Sequence, residues 1–397
     1  MSFLHGVETI TAASKNGTIN TVKTAVAFLV GISPVGPTQT LTLCNNEKDD
    51  AQFGAATPAN DIAFALKIMR TVAASQKNKG GSFPVIVVNV FDATNHTANL
   101  SSASGTVTNK KIALRKHLYG TITVTKASDS SVVSTSKYTI DEWGNFTDIT
   151  ATGELEGLVL NFAGKYVIPA VAADIVGTVN GSNVRTGMKL HALCYNTFGF
   201  TPKLILAPKY STLSSVVAEG RSIADANRGR WLHDNASGDS VTTAISQRGP
   251  SGTIGWNTSH KRTDLLYPYL KINNAYEAKA YNVSEYYVAF PYSAFMAGAY
   301  AKNDNDDQRG YWSSPSNMEL NGVVNAETVI GTSWTDSNAE NQQLNAAGII
   351  SYLNSFGTGF RTWGNRSAVY PTTSGAESFI NVQRVDDIVA ESMELSW

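Results

Sequence analysis

Charged residues are scarce in this sequence. Lys, Arg, Asp and Glu make up 16% of its 397 residues, against roughly 25% in typical soluble domains. The 31 basic and 32 acidic residues leave a formal net charge of -1, so the composition carries no electrostatic footprint for nucleic acid or an anionic membrane. Because the centres of protein interfaces are depleted in charge, this composition favours a protein that assembles with other protein.

Cysteines and long apolar runs are rare as well. The two cysteines, Cys44 and Cys194, lie far apart and neither belongs to a C-x-x-C pair, which predicts two buried free thiols. No apolar run approaches the roughly 20 residues that span a bilayer, and the first residues lack the basic and apolar parts of a secretory signal. We therefore expect no membrane insertion and a protein that is cytosolic when made.

Motifs for nucleotide binding, metal binding and nucleophilic catalysis are missing or incomplete. There is no G-x-x-x-x-G-K-[ST] sequence, and the loop after the first apolar run places Pro34 where backbone N–H groups would converge on phosphate. The six histidines lack zinc-ligand spacing. His233-Asp234 could join a serine in a triad, but no G-x-S-x-G elbow accompanies it, and Asp304–Asp307 lacks the full pattern of a calcium loop. We expect no cofactor, metal or catalytic residue, and an α/β-hydrolase-like enzyme is the alternative from another class.

Apolar periodicity predicts an α/β fold with a core split in two. Continuous apolar runs at 24–31 and 83–91 are typical of strands buried on both faces, and a helix between them is predicted to open with Thr57 as N-cap and Pro58 at its first position. Strand, helix, strand implies a right-handed crossover and a mostly parallel sheet. The remaining core elements are predicted as strands at 41–44, 203–208, 265–272 and 285–290 and helices at 213–226, 344–353 and 382–393.

Two segments differ from this core. From 93 to 187 Ser, Thr and Gly become more frequent, and Tyr138–Phe146 has the pattern of a hairpin, which predicts an inserted antiparallel β-domain. The first 22 residues contain short apolar alternations around Asn16-Gly17 and predict an extended N-terminal arm. The predicted domains are therefore the arm at 1–22, the first part of the core at 23–92, the β-rich insertion at 93–187 and the second part of the core at 188–397.

Three groups of motifs follow one another in an order that one protein family shares. The first is His5-Gly-Val-Glu8 with Thr21–Val26. The second is Pro291–Tyr300 with an R-G-x-W-x-x-P-x-N loop at 309–317. The third joins L-N-x-x-G-I, G-x-R-x-W-G-N-R and F-I-N-V-x-R, at 344–349, 359–366 and 379–384. In these motifs and in its central insertion, the chain resembles the tail sheath proteins of contractile phages and related injection systems.

The resemblance implies a structural protein. Sheath subunits of this family polymerise as stacked six-fold rings around a tail tube and contract to drive the tube through the host envelope for genome ejection. The implied partners are further copies of the chain, the tail tube protein, and the baseplate and tail terminator proteins, without direct nucleic-acid contact. The implied location is the virion tail, after assembly in the host cytoplasm. The sheath of a bacterial injection system or of a phage-derived bacteriocin is the alternative within the same class.

The resemblance also assigns roles to residues and segments. The arm would link subunits, and the family's C-terminal segment beyond the last helix is expected to be absent from this chain. The insertion would face outward, with receptor or glycan binding as a further alternative. The candidate arm interface residues are His5, Gly6, Val7, Glu8, Ile10, Ile19 and Val22. The candidate structural motif residues, with an internal or an intersubunit role left open, are Arg309, Gly310, Trp312, Pro315, Asn317, Arg361, Trp363, Gly364, Asn365 and Arg366.

Overall fold

The computed structural model describes residues 23–101, 103–354, 357 and 359–395. The predicted arm lies outside these residues, and its candidate interface residues remain predictions. In the described part of the chain, no helix is long and apolar enough to cross a membrane. Cys44 and Cys194 are buried free thiols, as predicted, and burial raises the pKa of each to about 12.

The regular elements follow one another in mixed order along the chain. The strands are β1 (Ala27–Gly31), β2 (Leu41–Cys44), β3 (Val85–Asn89), β4 (Thr97–Asn99), β5 (Ala103–Thr106), β6 (Lys111–Ala113), β7 (Leu118–Lys126), β8 (Tyr138–Ile140), β9 (Asn145–Asp148), β10 (Val159–Val167), β11 (Leu204–Leu206), β12 (Arg230–Asp234), β13 (Thr263–Leu266), β14 (Leu270–Asn273), β15 (Tyr287–Phe290), β16 (Val323–Ala326), β17 (Ile349–Asn354) and β18 (Phe360–Trp363). The α-helices are α1 (Glu47–Asp50), α2 (Asp61–Ala73), α3 (Ala172–Val176), α4 (Cys194–Phe198), α5 (Ser214–Ala226), α6 (Val241–Ser246), α7 (Ala275–Tyr281), α8 (Tyr292–Asp304), α9 (Glu340–Ala346) and α10 (Ile380–Leu395). Short 3₁₀ helices lie at Ala51–Phe53, Thr135–Lys137, Gly187–Leu193 and Ala376–Ser378.

A mostly parallel sheet forms the centre of the fold. Its strand order is β18-β17-β13-β12-β11-β1-β3-β2. The six strands from β17 to β3 run parallel, whereas β18 and β2 pair antiparallel at the two edges. Strand β1 lies between β3 and β11, with Ala27 opposite Val85 on one side and Leu204 on the other. The predicted α/β class with a mainly parallel sheet is confirmed.

Helices cover both faces of this sheet because its strands are apolar on both sides. In β3, Val85 and Val87 pack in one hydrophobic cluster with residues of α2 and α8, whereas Ile86 and Val88 pack in a second cluster with residues of α3 and α5. Every residue of β1 and β3 is buried. Burial on both faces removes the polar alternation that marks a half-exposed strand, which explains the continuous apolar runs in the sequence.

The segment between β3 and α3 forms smaller antiparallel sheets. Strand β10 pairs with β4, β5 and β7, and β9 pairs with β6 and β8. A separate hydrophobic cluster around Phe146 packs these strands together. This β-rich segment contacts the core through Arg115, whose Nε donates to Glu277 Oε2 at 3.0 Å, and through Asn145, whose Nδ2 donates to the Tyr276 carbonyl at 3.1 Å. After β10, Ile175 packs in the core cluster that contains Phe28, so the end of the predicted insertion belongs to the packing of the α/β core.

The structure corrects three sequence predictions of element boundaries. Helix α2 begins at Asp61 instead of Pro58, because the Asn60 side chain accepts a hydrogen bond from the Ala63 amide and caps the helix. The strand predicted at 265–272 is two strands, β13 and β14, with Tyr267-Pro268 between them. The helix predicted at 344–353 ends at Ala346. Gly348 then adopts a φ of 74°, and the apolar run that follows is β17.

The segment from Ile349 to Asn354 shows why this helix prediction was wrong. It forms β17, which pairs antiparallel with β18 and parallel with β13. Its apolar run is therefore that of a strand with the burial pattern of a core element. Buried strand and buried helix share the same apolar composition, and length alone separates them poorly over six residues.

We expect Gly298→Ala to destabilise the fold. A Cβ at Gly298 in α8 would lie 2.7 Å from the Met69 carbonyl and 2.8 Å from Val72 Cβ in α2, so the two helices would have to separate. Overpacking of this kind costs about 1–3 kcal/mol. Urea unfolding followed by circular dichroism measures the change. Gly181→Ala is the matched control, because a Cβ there meets no atom within 4 Å. An equal effect of the two substitutions would contradict the close packing of α2 on α8.

Candidate functional site

The motif segments converge at the edge of the main sheet. Strand β18 pairs with β17 on its inner side. On its outer side the Asn317 amide donates to the Thr362 carbonyl at 2.6 Å, the Thr362 amide donates to the Met318 carbonyl at 2.9 Å, and the Leu320 amide donates to the Phe360 carbonyl at 2.8 Å. The segment 317–320 therefore occupies hydrogen-bonding groups that an edge strand would otherwise expose.

Thr362 fixes this covering segment through its side chain. Its Oγ1 donates to the Pro315 carbonyl at 2.6 Å and accepts from the Met318 amide at 2.9 Å. Both contacts are buried, and the Arg361 Nη1 donates to the Asn317 carbonyl at 3.2 Å nearby. Asn317 itself has a φ of 62°, a conformation that Asn tolerates better than most residues. The R-G-x-W-x-x-P-x-N loop is thus attached to β18 at its Pro and Asn positions.

Arg309 closes the other end of the same loop. Its Nε donates to Asn303 Oδ1 at 2.8 Å and its Nη2 donates to the Ser314 carbonyl at 2.5 Å. Gly310 has a φ of 138°, and a Cβ there would lie 2.5 Å from the Trp312 ring, so glycine is needed at this position. The Trp312 side chain is 56% exposed. The loop therefore presents an aromatic ring to solvent on a backbone held from both ends.

The G-N-R part of the third motif fixes the start of α10. The Asn365 Nδ2 donates to Asn381 Oδ1 at 2.7 Å, and the Ile380 amide donates to the Asn365 carbonyl at 3.1 Å. The Arg366 Nη1 donates to Ser378 Oγ at 2.7 Å, and its guanidinium lies 3.8 Å from the centre of the Phe379 ring. These contacts combine hydrogen bonding with cation–π attraction at the helix N-terminus.

Two further motif residues complete the arrangement. Gly364 has a φ of 135°, and a Cβ there would lie 3.2 Å from Ile350 Cα in β17. Trp363 is partly buried at the end of β18, opposite Ser351. The structure thus brings all ten motif residues together. The side chains of Arg309, Arg361, Asn365 and Arg366 and the backbone of Asn317 make hydrogen bonds within the chain. An intersubunit role remains a proposal, for which the exposed Trp312 is the best placed.

Comparisons with known proteins identify the family. A family model described as the phage tail sheath protein central domain matches residues 183–368. The tail sheath protein of Burkholderia phage BcepMu is 32% identical over 400 residues, which cover 99% of this chain and 80% of that protein. The chain belongs to the phage tail sheath protein family. It is a structural subunit of a contractile tail sheath.

Two other relatives agree with this assignment. A putative prophage major tail sheath protein of Pseudomonas aeruginosa is 25% identical over 56% of this chain and 52% of its own length. The helical sheath of the anti-feeding prophage in its contracted state has a similar fold, with a TM-score of 0.51 at 16% identity, over 100% of this chain and 76% of that chain. The family is structural, in agreement with the absence of enzyme motifs from the sequence.

The candidate catalytic pair His233-Asp234 does not form a dyad in this sheath protein. Successive strand residues point to opposite faces of a sheet. His233 lies beside Trp231, with ring centroids 6.1 Å apart, and neither of its ring nitrogens has a hydrogen-bond partner among the described residues. Asp234 faces α8 on the other side, where the Ser293 amide donates to its Oδ1 at 2.6 Å and Ser211 Oγ donates to its Oδ2 at 3.1 Å. The hydrolase alternative therefore has no support from this pair.

Burial shifts the pKa values of His233 and Asp234 in opposite directions. It lowers the pKa of His233 to about 3 and raises the pKa of Asp234 to about 7. In each case removal from water disfavours the charged form. His233 is thus a neutral core residue, while Asp234 titrates near neutral pH beneath the first turn of α8.

A cavity of about 320 Å³ lies at the carboxyl ends of β1 and β11, where sheets of this topology often bind ligands. Its lining includes Asp61, Lys209 and Tyr210. Lys209 Nζ donates to Asp61 Oδ1 at 2.7 Å, and Tyr210 Oη donates to Asp61 Oδ2 at 2.6 Å. The cation that could have bound a phosphate is therefore already paired.

The acidic segment Asp304–Asp307 is engaged in ion pairs. Asp304 is paired with Arg384 at 2.5 Å, and Asp307 is paired with Lys77. Among the described residues, no group of three or more His, Cys, Asp or Glu side chains could hold a metal ion. Two of the three carboxylates of this segment thus bind protein cations, and the third, Asp306, accepts from the Gln308 amide.

The buried charges of α10 are not among the sequence predictions. The helix predicted at 382–393 offers Val389 and Met393 as apolar positions, but these residues are 47% and 61% exposed. The buried side of the helix instead carries Arg384 and Asp387, and Asp387 pairs with Arg262 at 2.5 Å. The only signal in the sequence is the arginine of F-I-N-V-x-R itself, and it stands in a stretch that also contains Asn381, Gln383 and two aspartates. Helix α10 therefore attaches to the core through ion pairs as well as through Ile388.

We expect Thr362→Val to destabilise the sheath protein by about 1–3 kcal/mol, because the substitution keeps the shape but leaves the buried Pro315 carbonyl and Met318 amide without this partner. Thr139→Val in β8 is the control, since Thr139 is exposed in a strand and should change stability by less than about 0.5 kcal/mol. Urea unfolding measures both. A neutral Thr362→Val would show that the covering segment does not depend on this hydroxyl.

We expect the stability of wild type relative to Asp234→Asn to fall between about pH 4 and pH 7. The folded protein keeps the Asp234 proton up to about pH 7, whereas the unfolded chain releases it near its usual pKa of about 3.9. The protonated Asp234 carboxyl therefore contributes its full stabilisation below its pKa in the unfolded chain, and this contribution is lost as pH rises through its pKa in the folded protein. Urea unfolding of both proteins across this range gives the difference, in which the other titrating groups cancel. A flat difference would contradict the raised pKa.

Proposed function

We propose that this sheath protein polymerises with itself as stacked six-fold rings around a tail tube, and that the stack shortens on triggering to drive the tube through the host envelope. The tail tube, baseplate and tail terminator proteins are its other partners, and the assembled sheath works in the virion tail after assembly in the host cytoplasm. The 32% identity to a phage tail sheath protein over 99% of the chain supports the phage role. A bacterial injection machine or bacteriocin would use the same kind of subunit.

The position of β1 is the observation that carries this proposal. The predicted arm precedes β1, which is hydrogen-bonded to β11 on one side and to β3 on the other. A strand paired on both sides must break two ladders before it leaves the sheet, whereas an edge strand breaks one. A neighbouring subunit that binds the arm by strand addition therefore pulls on a strand that is held from both sides.

The proposed action needs no reactive centre. Rigid subunits that change how they pack against one another can store free energy at their interfaces, and an interface that does not close on itself generates a helical filament. The buried sheet and the ion-paired helices of this chain suit a rigid subunit. We therefore propose a mechanical, non-enzymatic role without a cofactor.

The β-rich insertion is proposed to face outward. It has its own hydrophobic cluster, and it contacts the core over a limited surface that includes α7 and the loop at Thr57, whose Oγ1 lies 2.6 Å from His117 Nδ1. A segment that packs largely on itself can decorate the outside of a sheath without entering the subunit contacts of the core. Receptor or glycan binding by this segment is the alternative.

We expect deletion of residues 1–22 to abolish tube formation while the core stays folded. The arm supplies the links between subunits in the proposed assembly, whereas the described core begins after it. Negative-stain microscopy of the full chain, co-expressed with the tail tube protein, should show hollow tubes, and the deletion variant should give only separate particles with unchanged circular dichroism. Tubes formed equally well without the arm would contradict arm exchange.

A matched control removes a larger segment that the proposal places outside the subunit contacts. Asn99 pairs with Lys165 across β4 and β10, so residues 100–164 can be replaced by an Asn-Gly turn that closes this hairpin. This variant should still form tubes, of smaller outer diameter. Loss of all assembly in this folded variant would contradict the outward placement. A chain that stays monomeric and turns over an ester or a nucleotide would contradict the structural role as a whole.

A further inference from the structure

The backbone just ahead of β1 is held by a side chain of α10. The backbone hydrogen bonds of the sheet reach Val26, whose carbonyl accepts from the amides of Lys203 and Leu204 at 2.8 and 3.0 Å. Two residues earlier, the Thr24 carbonyl accepts from Arg384 Nη2 at 3.3 Å. Arg384 thus contacts the chain at the point where the predicted arm ends, outside the ladder that holds β1.

Arg384 is itself fixed from several directions. Its Nη1 donates to Asp304 Oδ1 at 2.9 Å and its Nη2 donates to Asp304 Oδ2 at 2.5 Å. Its guanidinium lies 4.8 Å from the centre of the Tyr300 ring, and Tyr300 Oη donates to Asp264 Oδ2 at 2.6 Å. The side chains of Arg384 and Asp304 are 5% and 1% exposed. The guanidinium can therefore move little without breaking contacts to α8 and, through Tyr300, to β13.

Stability alone does not explain a buried ion pair at this place. Taking both charges out of water costs several kcal/mol per ion, and replacement of such a pair by apolar residues of similar volume is often neutral or stabilising. The planar fork of Arg can bind a carboxylate with two N–H groups and still donate to another acceptor, which a lysine ammonium does less well in a fixed geometry. Here the additional acceptor is the main-chain carbonyl of Thr24, so the contact positions the backbone.

We propose that Arg384 is the positioning residue of the N-terminal arm: it anchors the arm root at Thr24 to α10 and α8, and so fixes where the arm leaves the core. The anchor deepens the proposed function, because it rests on the arm as the link between subunits. A pull on the arm is then shared between the β1 ladders and the Arg384–Asp304 pair. The arm root and the C-terminal helix also move as one unit.

The test measures the arm root directly, in the unassembled full chain. Lys23 is exposed and immediately precedes Thr24, so native-state trypsin cleavage after Lys23, followed by mass spectrometry of the core fragment that begins at Thr24, reports local opening of the root. Two variants remove the anchor. Arg384→Lys keeps a positive charge beside Asp304 but loses the fork, and Arg384→Met with Asp304→Leu removes the whole pair without leaving a buried charge unpaired.

The matched control is Arg262→Lys. Arg262 holds α10 through a two-point contact with Asp387, at 3.0 and 2.5 Å, and also pairs with Asp225. It therefore resembles Arg384 in chemistry and in its attachment of α10, but its side chain donates to carboxylates and not to the arm root. Urea unfolding of each variant gives the global stability against which the cleavage rates are compared.

We expect cleavage after Lys23 to become about tenfold faster in both Arg384 variants and to change less than about twofold in Arg262→Lys. A decrease of about 1.4 kcal/mol in the free energy of local opening makes the open state about ten times more populated. The double variant should show this acceleration even where its global stability equals that of wild type. Equal acceleration in the Arg262 control, or none in the double variant, would overturn the anchor.

The outcome is separable from that of the proposed function. Proteolysis of the unassembled chain needs no tubes, so accelerated cleavage supports the Arg384 anchor whatever the arm does in assembly. If deletion of the arm leaves assembly unchanged, the proposed link between subunits through the arm is contradicted while the anchor still stands. If deletion of residues 1–22 abolishes tubes but the double variant cleaves like wild type, the anchor falls and arm exchange stands.

Discussion

The fold depends on one constraint, a sheet that is buried on both of its faces. Burial on both sides requires every backbone donor and acceptor of the central strands to be paired within the sheet, and it requires any charge in that layer to carry its own partner. Strand β12 shows the second requirement. Arg230 is buried in this strand and is bound by Asp264 of the neighbouring β13, whose other oxygen accepts from Tyr300. The same rule leaves Asp234 protonated up to about pH 7, because burial disfavours its charged form and the hydrogen bonds from Ser211 and Ser293, which lower the pKa, do not offset that cost.

The same rule, that a buried charge needs its own partner, applies to helix α10 at the margin of the core. An apolar helix face can slide or rotate on an apolar surface at little cost, because hydrophobic attraction is not directional. Ion pairs with fixed geometry do not allow this. Arg384, Asp387 and Glu391 bind Asp304, Arg262 and Lys203 on three separate segments of the core, so the helix is held in one register. For a subunit that must transmit force between neighbours, a helix that cannot slip is more useful than one that is merely stable.

Much of the α/β core could be predicted because its elements have period-specific patterns. The runs that became β1 and β3 and the stripe of α2 are continuous or periodic over enough residues to decide between strand and helix. The prediction for the segment after Gly348 was wrong, because six mostly apolar residues fit a buried strand as well as a helix, and pairing with the distant β13 and the adjoining β18 decided the outcome. The inward charges of α10 failed for the same kind of reason: the cost of burying Arg384 is offset by Asp304, which lies 80 residues away, and no local pattern indicates such a pair.

Strand addition can link subunits only if unintended strand pairing is prevented. An open edge of a sheet binds any extended chain, so a protein that assembles through a strand must close its other edges. The family motifs contribute to this at β18, where the Asn317 to Leu320 segment occupies outward-facing groups and Arg309 and Thr362 fix the loop that carries it. At the other edge Arg70 binds the Cys44 carbonyl at the end of β2 at 3.0 Å, and its pairing with Asp50 ties that end to the helix that follows. In the proposed assembly the motif residues would contribute even without touching a neighbour, because a closed edge would direct strand pairing toward the arm.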